Sequence, residues 1–419
     1  MRGRVQHNIR MALSRNARRH SRARFIGITG SSAKSTTGSL LTHILTTHGE
    51  VRSQLLSNTF RDISRSIRAS GKDADYFVIE AGVEKSGDMD DMAKVIQPDI
   101  AIVTLVGFDH RQAFRSKEAV AAEKAKLVAA VQPRGLAILN HDDPRVRSMA
   151  SHTRERVSTF GRTADADVRV VSAEARFPDR LTVELKRNGE HVSIPTRFVG
   201  EHFWVPVTAA FCAASELGVP IATIVRQCAS FEPVDARCEV IETGDGPVFI
   251  LDTFKAPWES LPLAFRIVET AQAPRKRIVL GGISDYTGSS RTKYKQAYEM
   301  ARAVCDQVIF VGDHAGRSRA SDADRQAGRI VEIESVHELD AYIRQSATPG
   351  ELVLLKSSKP IHLERVALSW QHDVRCWEQK CGVKGSCKWC GLYQYPFEMH
   401  HADRASFNKK HRRRGMPAL

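Results

Sequence analysis

Nowhere in the 419 residues is there an uninterrupted apolar run of about eighteen, the length that a membrane-spanning helix needs. The N-terminal segment also lacks the apolar centre of a secretory leader. No transmembrane segment is therefore expected, and a cytoplasmic location follows as the default. Internal repeats are missing, and low complexity is confined to the two ends. Acid is absent from residues 1–24, which hold eight arginines, and residues 401–419 set Arg404, Lys409, Lys410, Arg412, Arg413 and Arg414 against Asp403 alone. Those ends carry +8 and +5 of the net +14, so the body is close to neutral. Basic arms of this kind suit an anionic polymer, nucleic acid or an acidic membrane surface. Solubility and disorder are an equal reading of the same charge.

What is present is the composition of a soluble globular protein, 42% hydrophobic and 26% charged, and long enough for two or three domains. Short apolar runs of strand length alternate with helical stretches. RFIGITG (24–30), DYFVIEAG (75–82), PDIAIVTLVG (98–107) and GLAILN (135–140) are the strands. STTGSLLTHILTTHG and SKEAVAAEKAKLVAAV have helical spacing. This rhythm predicts a doubly wound α/β domain built on a parallel sheet. Residues 165–198 alternate instead, with Asn188-Gly189 as a hairpin turn, which predicts an antiparallel appendage. The α/β rhythm restarts with PVFILD, RIVLGG, QVIFVG and ELVLLK, which predicts a smaller second α/β domain. The expected divisions are an Arg-rich arm (1–24), a central domain (25–236), a C-terminal α/β domain (237–370) and a Cys-rich basic tail (371–419).

The stretch GITGSSAKSTTGSLL runs from a strand into a helix, the setting of a phosphate-binding loop. Backbone N–H groups of Gly30, Ser31, Ser32, Ala33, Lys34, Ser35 and Thr36 would cradle phosphates at the positive end of the helix. Lys34 would reach the outer phosphates and the Ser35 hydroxyl would ligate Mg²⁺. Ala33 stands where a glycine is usual, and this matters if the position requires a positive φ. Ser35, Glu80 and His110 follow three successive strands of one sheet, where ligands gather, and together they offer hard donors for cations bound to phosphate. An unremarkable Ser/Thr-rich turn is the alternative for the loop, and an ordinary loop histidine is the alternative for His110.

Cysteines fall into two groups. Cys212, Cys228, Cys238 and Cys305 are scattered and read as core thiols. Cys376, Cys381, Cys387 and Cys390 form C-x4-C-x5-C-x2-C, a spacing that can wrap one structural Zn²⁺. His400 and His401 offer a substitute ligand. Trp377, Trp389, Tyr393 and Tyr395 around it read either as a contact surface for an acidic partner or as the small core of the knuckle.

Segments 25–41, 78–89 and 102–128, followed in order by others up to about residue 368, resemble the ATP-dependent Mur ligases, and within them the branch that adds D-alanyl-D-alanine. The resemblance implies a P-loop ATPase domain, a smaller Rossmann-like C-terminal domain, and a reaction in which ATP-Mg²⁺ phosphorylates a carboxylate that an amine then attacks. It implies roles residue by residue. Lys34 is the phosphate-loop lysine, and Ser35, Glu80, His110 and a carbamylated Lys124 are metal residues. Asn140 and Asp143 lie in the family's Asn-x-Asp-Asp stretch. Arg237 reaches ATP phosphates, Asp252 holds the ribose, and Lys356 and Ser358 lie near the incoming amine. The departures are Ala33, Leu105, Phe203, Pro206, Lys255 and Pro257, the last five replacing asparagines, whose amides hydrogen-bond. They suggest altered base or substrate recognition. Family members acting on UDP-muramyl peptides carry a uridine-nucleotide domain ahead of the ATPase domain, where 24 Arg-rich residues stand here. The expected acceptor is therefore another carboxylate, on a small molecule or a polymer, joined to an amine or amino acid. A non-catalytic nucleotide-binding protein that holds an anionic polymer through its basic arms is the alternative.

Overall fold

The apolar runs become the buried centres of two sheets. The computed structural model describes residues 2–70, 73–108, 113–358, 361–383 and 385–400. It divides into two compact units, Met1–Ala175 with Arg180–Glu232, and Arg176–Asp179 with Pro233–Leu419. In the first unit the strands are β1 (Arg24–Thr29), β2 (Val51–Gln54), β3 (Tyr76–Glu80), β4 (Ile100–Val103), β5 (Leu136–Asn140), β6 (Arg156–Gly161), β7 (Val168–Glu174), β8 (Thr182–Arg187) and β9 (Glu190–Pro195). Their order is β2-β3-β1-β4-β5-β6-β7-β8-β9. Parallel pairing runs from β2 to β7, and the last two pairs are antiparallel. Strands β3, β4 and β5 are buried at every residue, because helices cover both faces of a parallel sheet. In β7–β9, by contrast, buried and exposed residues mostly alternate.

The helices of this unit are α1 (Arg2–His20), α2 (Lys34–Leu45), α3 (Phe60–Ala69), α4 (Asp88–Ile96), α5 (Lys117–Ala129), α6 (Pro144–Ser148), α7 (Trp204–Glu216) and Ile221–Ser230. Helix α1 corrects the expectation of a separate Arg-rich arm. Met11 and Ala17 pack on the core of this unit, and the buried Ser14 hydroxyl donates to the Ser64 carbonyl at 3.2 Å. Arg18 donates to the carbonyls of Ile96 and Gln97 at the C-terminal end of α4, and to Asp99 Oδ2 at 2.9 Å. Its guanidinium also lies 4.1 Å from the Phe25 ring centroid. A cation at the negative end of a helix and over an aromatic face is doubly favoured, so this arginine is a structural pin.

In the second unit β10 (Glu239–Glu242), β11 (Val248–Asp252), β12 (Lys276–Leu280), β13 (Gln307–Val311), β14 (Ile330–Ile333) and β15 (Leu352–Lys356) form a sheet ordered β10-β11-β15-β12-β13-β14. Only the β10–β11 pair is antiparallel. A fully buried pair, Arg277 with Glu351 at 3.0 Å, sits at the start of this sheet. The tail packs onto its own unit. Trp377 stacks on His337 with centroids 4.9 Å apart, the Trp389 indole N–H donates to Asp235 at 2.7 Å, and Lys388 pairs with Glu239. Of the two readings of the tail aromatics, these two tryptophans are engaged within the unit. Among the described residues no helix is long and apolar enough to cross a membrane.

Candidate active site

The strand order places β1 between β3 and β4, and the residues expected to carry the chemistry stand at the carboxyl ends of these strands and of β5. This is where an open α/β sheet leaves a crevice. After β1 the chain passes through Gly30 at φ 148, where an added Cβ would come within 1.9 Å of Thr104 Oγ1. Glycine is obligatory there. Thr104 in turn donates to the Ser32 carbonyl at 2.7 Å, and Ser31 bonds to the backbone of Leu105 and Gly107. The loop following β4 thus buttresses the phosphate loop, and Leu105 contributes through its carbonyl.

Ala33 caps α2 at φ 66 and ψ −9, in the left-handed region. The departure from glycine therefore falls on a residue whose conformation favours glycine. Lys34 Nζ folds back to donate to the Gly30 carbonyl at 2.7 Å, and the fully buried Lys124 on α5 donates to the same oxygen at 3.1 Å. Two ammonium groups from different helices thus converge at the loop.

Glu80, only 3% exposed at the end of β3, accepts from Ser35 Oγ at 2.7 Å, from the Leu56 N–H at 3.1 Å and from Asn58 Nδ2 at 2.9 Å. Burial pushes its carboxyl up, but the Lys34 charge and these three donors outweigh burial and hold it below the usual range. It is therefore an anion that holds its charge in a buried place. Ser35 and Glu80 present hard oxygens side by side next to the phosphate loop, a donor set that fits Mg²⁺. His110 lies outside the described residues. Asn58 was not foreseen. Gly82 makes room for it, since a Cβ there would meet Asn58 Nδ2 at 2.4 Å. Asn140, at the end of β5, donates to the Thr104 carbonyl at 2.8 Å, and Asp143 accepts from the Val106 N–H at 2.7 Å while capping α6. Both brace the loop after β4.

Phe203 and Pro206 belong to apolar packing. Phe203 stacks on Phe198 with centroids 4.4 Å apart and planes 6° apart, and Pro206 is buried in the first turn of α7.

In the second unit, Asp252 and Lys356 end the neighbouring strands β11 and β15 in direct register. Lys356, 2% exposed, bonds to Asp252 Oδ2 at 2.5 Å and to the Lys255 carbonyl at 2.9 Å. The residues matched to ribose and to amine are thus partners, which sequence reasoning missed. Ser358 accepts from the Ala256 N–H at 3.3 Å and its own N–H reaches the Gly282 carbonyl at 2.8 Å. The Arg237 guanidinium lies 4.2 Å from the Phe254 ring centroid.

Cys212, Cys228 and Cys238 are buried and Cys305 is half-buried. Burial pushes the thiols of Cys212, Cys228 and Cys305 up to about 12, as inert packing thiols require. The four tail cysteines instead line one small cavity, together with His362, Arg365 and His400. His401 lies outside the described residues.

Comparison with known proteins agrees with this architecture. Residues 28–214 match the Mur ligase middle domain and residues 236–359 match the Mur ligase glutamate ligase domain. The UDP-N-acetylmuramoyl-tripeptide–D-alanyl-D-alanine ligase of Mycobacterium tuberculosis is 28% identical over 380 residues, covering 84% of this chain and 73% of that protein. The enzyme of the same name from Bacillus subtilis is 23% identical over 348 residues, covering 82% and 75%. Among solved structures, the MurF ligase of Thermotoga maritima in complex with ADP superposes with a TM-score of 0.76 at 20% identity, covering 87% of this chain and 83% of that one. A MurF from Acinetobacter baumannii gives a TM-score of 0.76 at 21% identity over 86% and 80%. The chain therefore belongs to the Mur ligase family and is an ATP-dependent ligase that forms C–N bonds.

Proposed function

We propose that the chain joins a carboxylate to an amine through an acyl phosphate. A carboxylate oxygen takes the γ-phosphoryl group of ATP and ADP leaves. The amine nitrogen then attacks the acyl carbon, phosphate departs, and the nitrogen loses a proton to give the amide. The observation that carries this reading is the Lys34 ammonium at the phosphate loop beside the ionised Glu80 and Ser35, with the buried Lys124 side chain reaching the same loop. Lys34 stabilises charge on the transferred phosphoryl group. Gly30 to Thr36 and Asn140 form the phosphate site of the first unit, while the family resemblance gives Arg237 a phosphate role and Asp252 a ribose role in the second. Ser35, Glu80, His110 and a carbamylated Lys124 would hold Mg²⁺, which when bound offsets the charge on the phosphate oxygens. Lys356 and Ser358 face the incoming amine.

UDP-muramyl-tripeptide and D-alanyl-D-alanine, which the relatives are named for, are substrates to test. Phe203, Pro206, Lys255 and Pro257, which stand where the family hydrogen-bonds, favour altered base or substrate recognition and hence a different carboxylate. The basic segment 401–419 favours an anionic one, a polymer included. The four tail cysteines are read as ligands of a structural Zn²⁺ that takes no part in the chemistry.

The test is product identity across carboxylate and amine pairs, with UDP-muramyl-tripeptide as comparator. ADP and phosphate should appear only when both substrates are present, and hydroxylamine should trap the activated acyl group as a hydroxamate. Release of AMP would refute the mechanism.

A further inference from the structure

The tail cysteines do not close a cavity by themselves. His362 comes from the body of the C-terminal sheet domain, in the segment between β15 and the short helix Arg365–Leu368, and it enters the same cavity. It is 2% exposed and sits at φ 51, an unfavourable conformation for a residue of its size. Its Nε2 lies 3.2 Å from Cys381 Sγ, and a ligand atom of His362, one of Glu364 and the Cys387 sulfur all fall within 4.8 Å of one another. The other ring nitrogen, Nδ1, faces Glu364 Oε1 at 3.4 Å, and that oxygen also accepts the Cys387 N–H at 3.0 Å. An imidazole with one nitrogen among thiols and the other on a carboxylate has the arrangement of a metal-bound histidine and its outer partner.

A second observation concerns charge. Arg365 is 1% exposed, and its guanidinium donates to Cys387 Sγ at 3.1 Å and to the Glu378 carbonyl at 2.7 Å. A buried cation facing sulfur is costly beside neutral thiols and favourable beside thiolates. Thiolates that share one small cavity repel one another unless a cation sits among them, and a tetrahedral zinc with three or four thiolates is itself a net anion. Arg365 is the counter-charge of such a centre.

We propose that His362 is a ligand of the same zinc ion as the tail cysteines. Three thiolates and the imidazole fill its four positions, and the metal fastens the tail to the segment that follows Lys356 and Ser358. The inference rests on the reading of the tail cysteines as zinc ligands. Its consequence is that zinc positions the segment assigned to the incoming amine, without itself touching substrate.

The experiment uses the full chain purified under reducing conditions without chelator. Elemental analysis should find one zinc per chain, and competition with a chromogenic chelator should give its affinity. Glu364→Gln should weaken binding about 10- to 100-fold, and His362→Ala by more. In cobalt-substituted protein, the visible bands of a tetrahedral three-sulfur, one-nitrogen site should shift on His362→Ala. If His362→Ala does not yield folded protein, His362→Cys should retain the metal and move the cobalt bands to the all-thiolate pattern. Absence of zinc from the unmodified chain would overturn the cysteine reading itself. Zinc present, with affinity and cobalt bands indifferent to His362, would overturn this inference and leave that reading standing. None of these readouts requires turnover.

Discussion

Replacing Ala33 by glycine tests the phosphate loop most directly. With φ at 66°, the alanine Cβ is held in a region that costs an L-residue about 1–2 kcal/mol. Glycine removes that cost but gives the unfolded chain more freedom, which takes back about 0.4–1 kcal/mol. The net expectation for Ala33→Gly is a gain of about 0.5–1 kcal/mol. For a unit of this size that corresponds to a rise of roughly 1–4 °C in Tm. Ala33→Val should move the other way by about 2 kcal/mol, because a β-branched residue at positive φ is a true outlier. Chemical denaturation of the three proteins, read as the shift in midpoint at constant slope, gives the order glycine, alanine, valine from most to least stable. Activity should follow the loop geometry, with Ala33→Gly equal to or above the unmodified enzyme in kcat/KM and Lys34→Ala inactive. A glycine variant less stable than the parent, or a valine variant equal to it, would refute the left-handed assignment. If Ala33→Gly and Lys34→Ala were both without effect on activity, the loop would be a relic.

Other expectations concern charge. Glu80 titrates below its ordinary 4.5 in the folded protein, so its contribution to stability is complete above that pH and is lost as pH falls through the lower folded value. Glu80→Gln should therefore flatten the acid limb of a stability–pH profile measured by thermal melting, and an unchanged limb would place the acid sensitivity elsewhere. Lys356→Met leaves the Asp252 carboxylate without its ammonium and should cost about 3 kcal/mol, part of which Asp252→Asn in the same chain restores; a double-mutant cycle with no coupling would contradict the pair. Arg18→Ala removes charge-assisted bonds to Asp99 and to the end of α4 and should cost about 2 kcal/mol in urea denaturation, with faster proteolysis within residues 2–20. A silent Arg18→Ala would return α1 to the status of a loose arm.

The parallel sheets were legible because their strands are buried on both faces and so appear as unbroken apolar runs such as FIGI and FVI. The antiparallel extension was legible from its alternation and from Asn188-Gly189. Helix α1 was not, because its inward stripe of Met11, Ser14, Ala17 and Arg18 is half polar and hides among arginines. The phosphate loop could be read from its flanks, but the backbone strain at Ala33 could not, since a sequence does not display φ. Asp252 and Lys356 were each singled out while their contact was missed. They are 104 positions apart, and only the β11–β15 register makes them neighbours. His362 escaped for a similar reason. The cysteine spacing points to the tail, whereas His362 lies outside it, in a segment that family resemblance marks for a different purpose.

The Asp252–Lys356 pair has a kinetic corollary. If one residue serves the nucleotide sugar and the other the amine, then each is tied up by the other until a substrate arrives. Sugar hydroxyls that engage Asp252 release the ammonium of Lys356, so the first substrate prepares the place of the second. Initial-velocity measurements should then show the apparent affinity for the amine rising with nucleotide saturation. In Asp252→Asn, where the lysine is held by a neutral amide, that synergy should fade. The enzyme would thus keep its order of addition in a single ion pair at the ends of two adjacent strands.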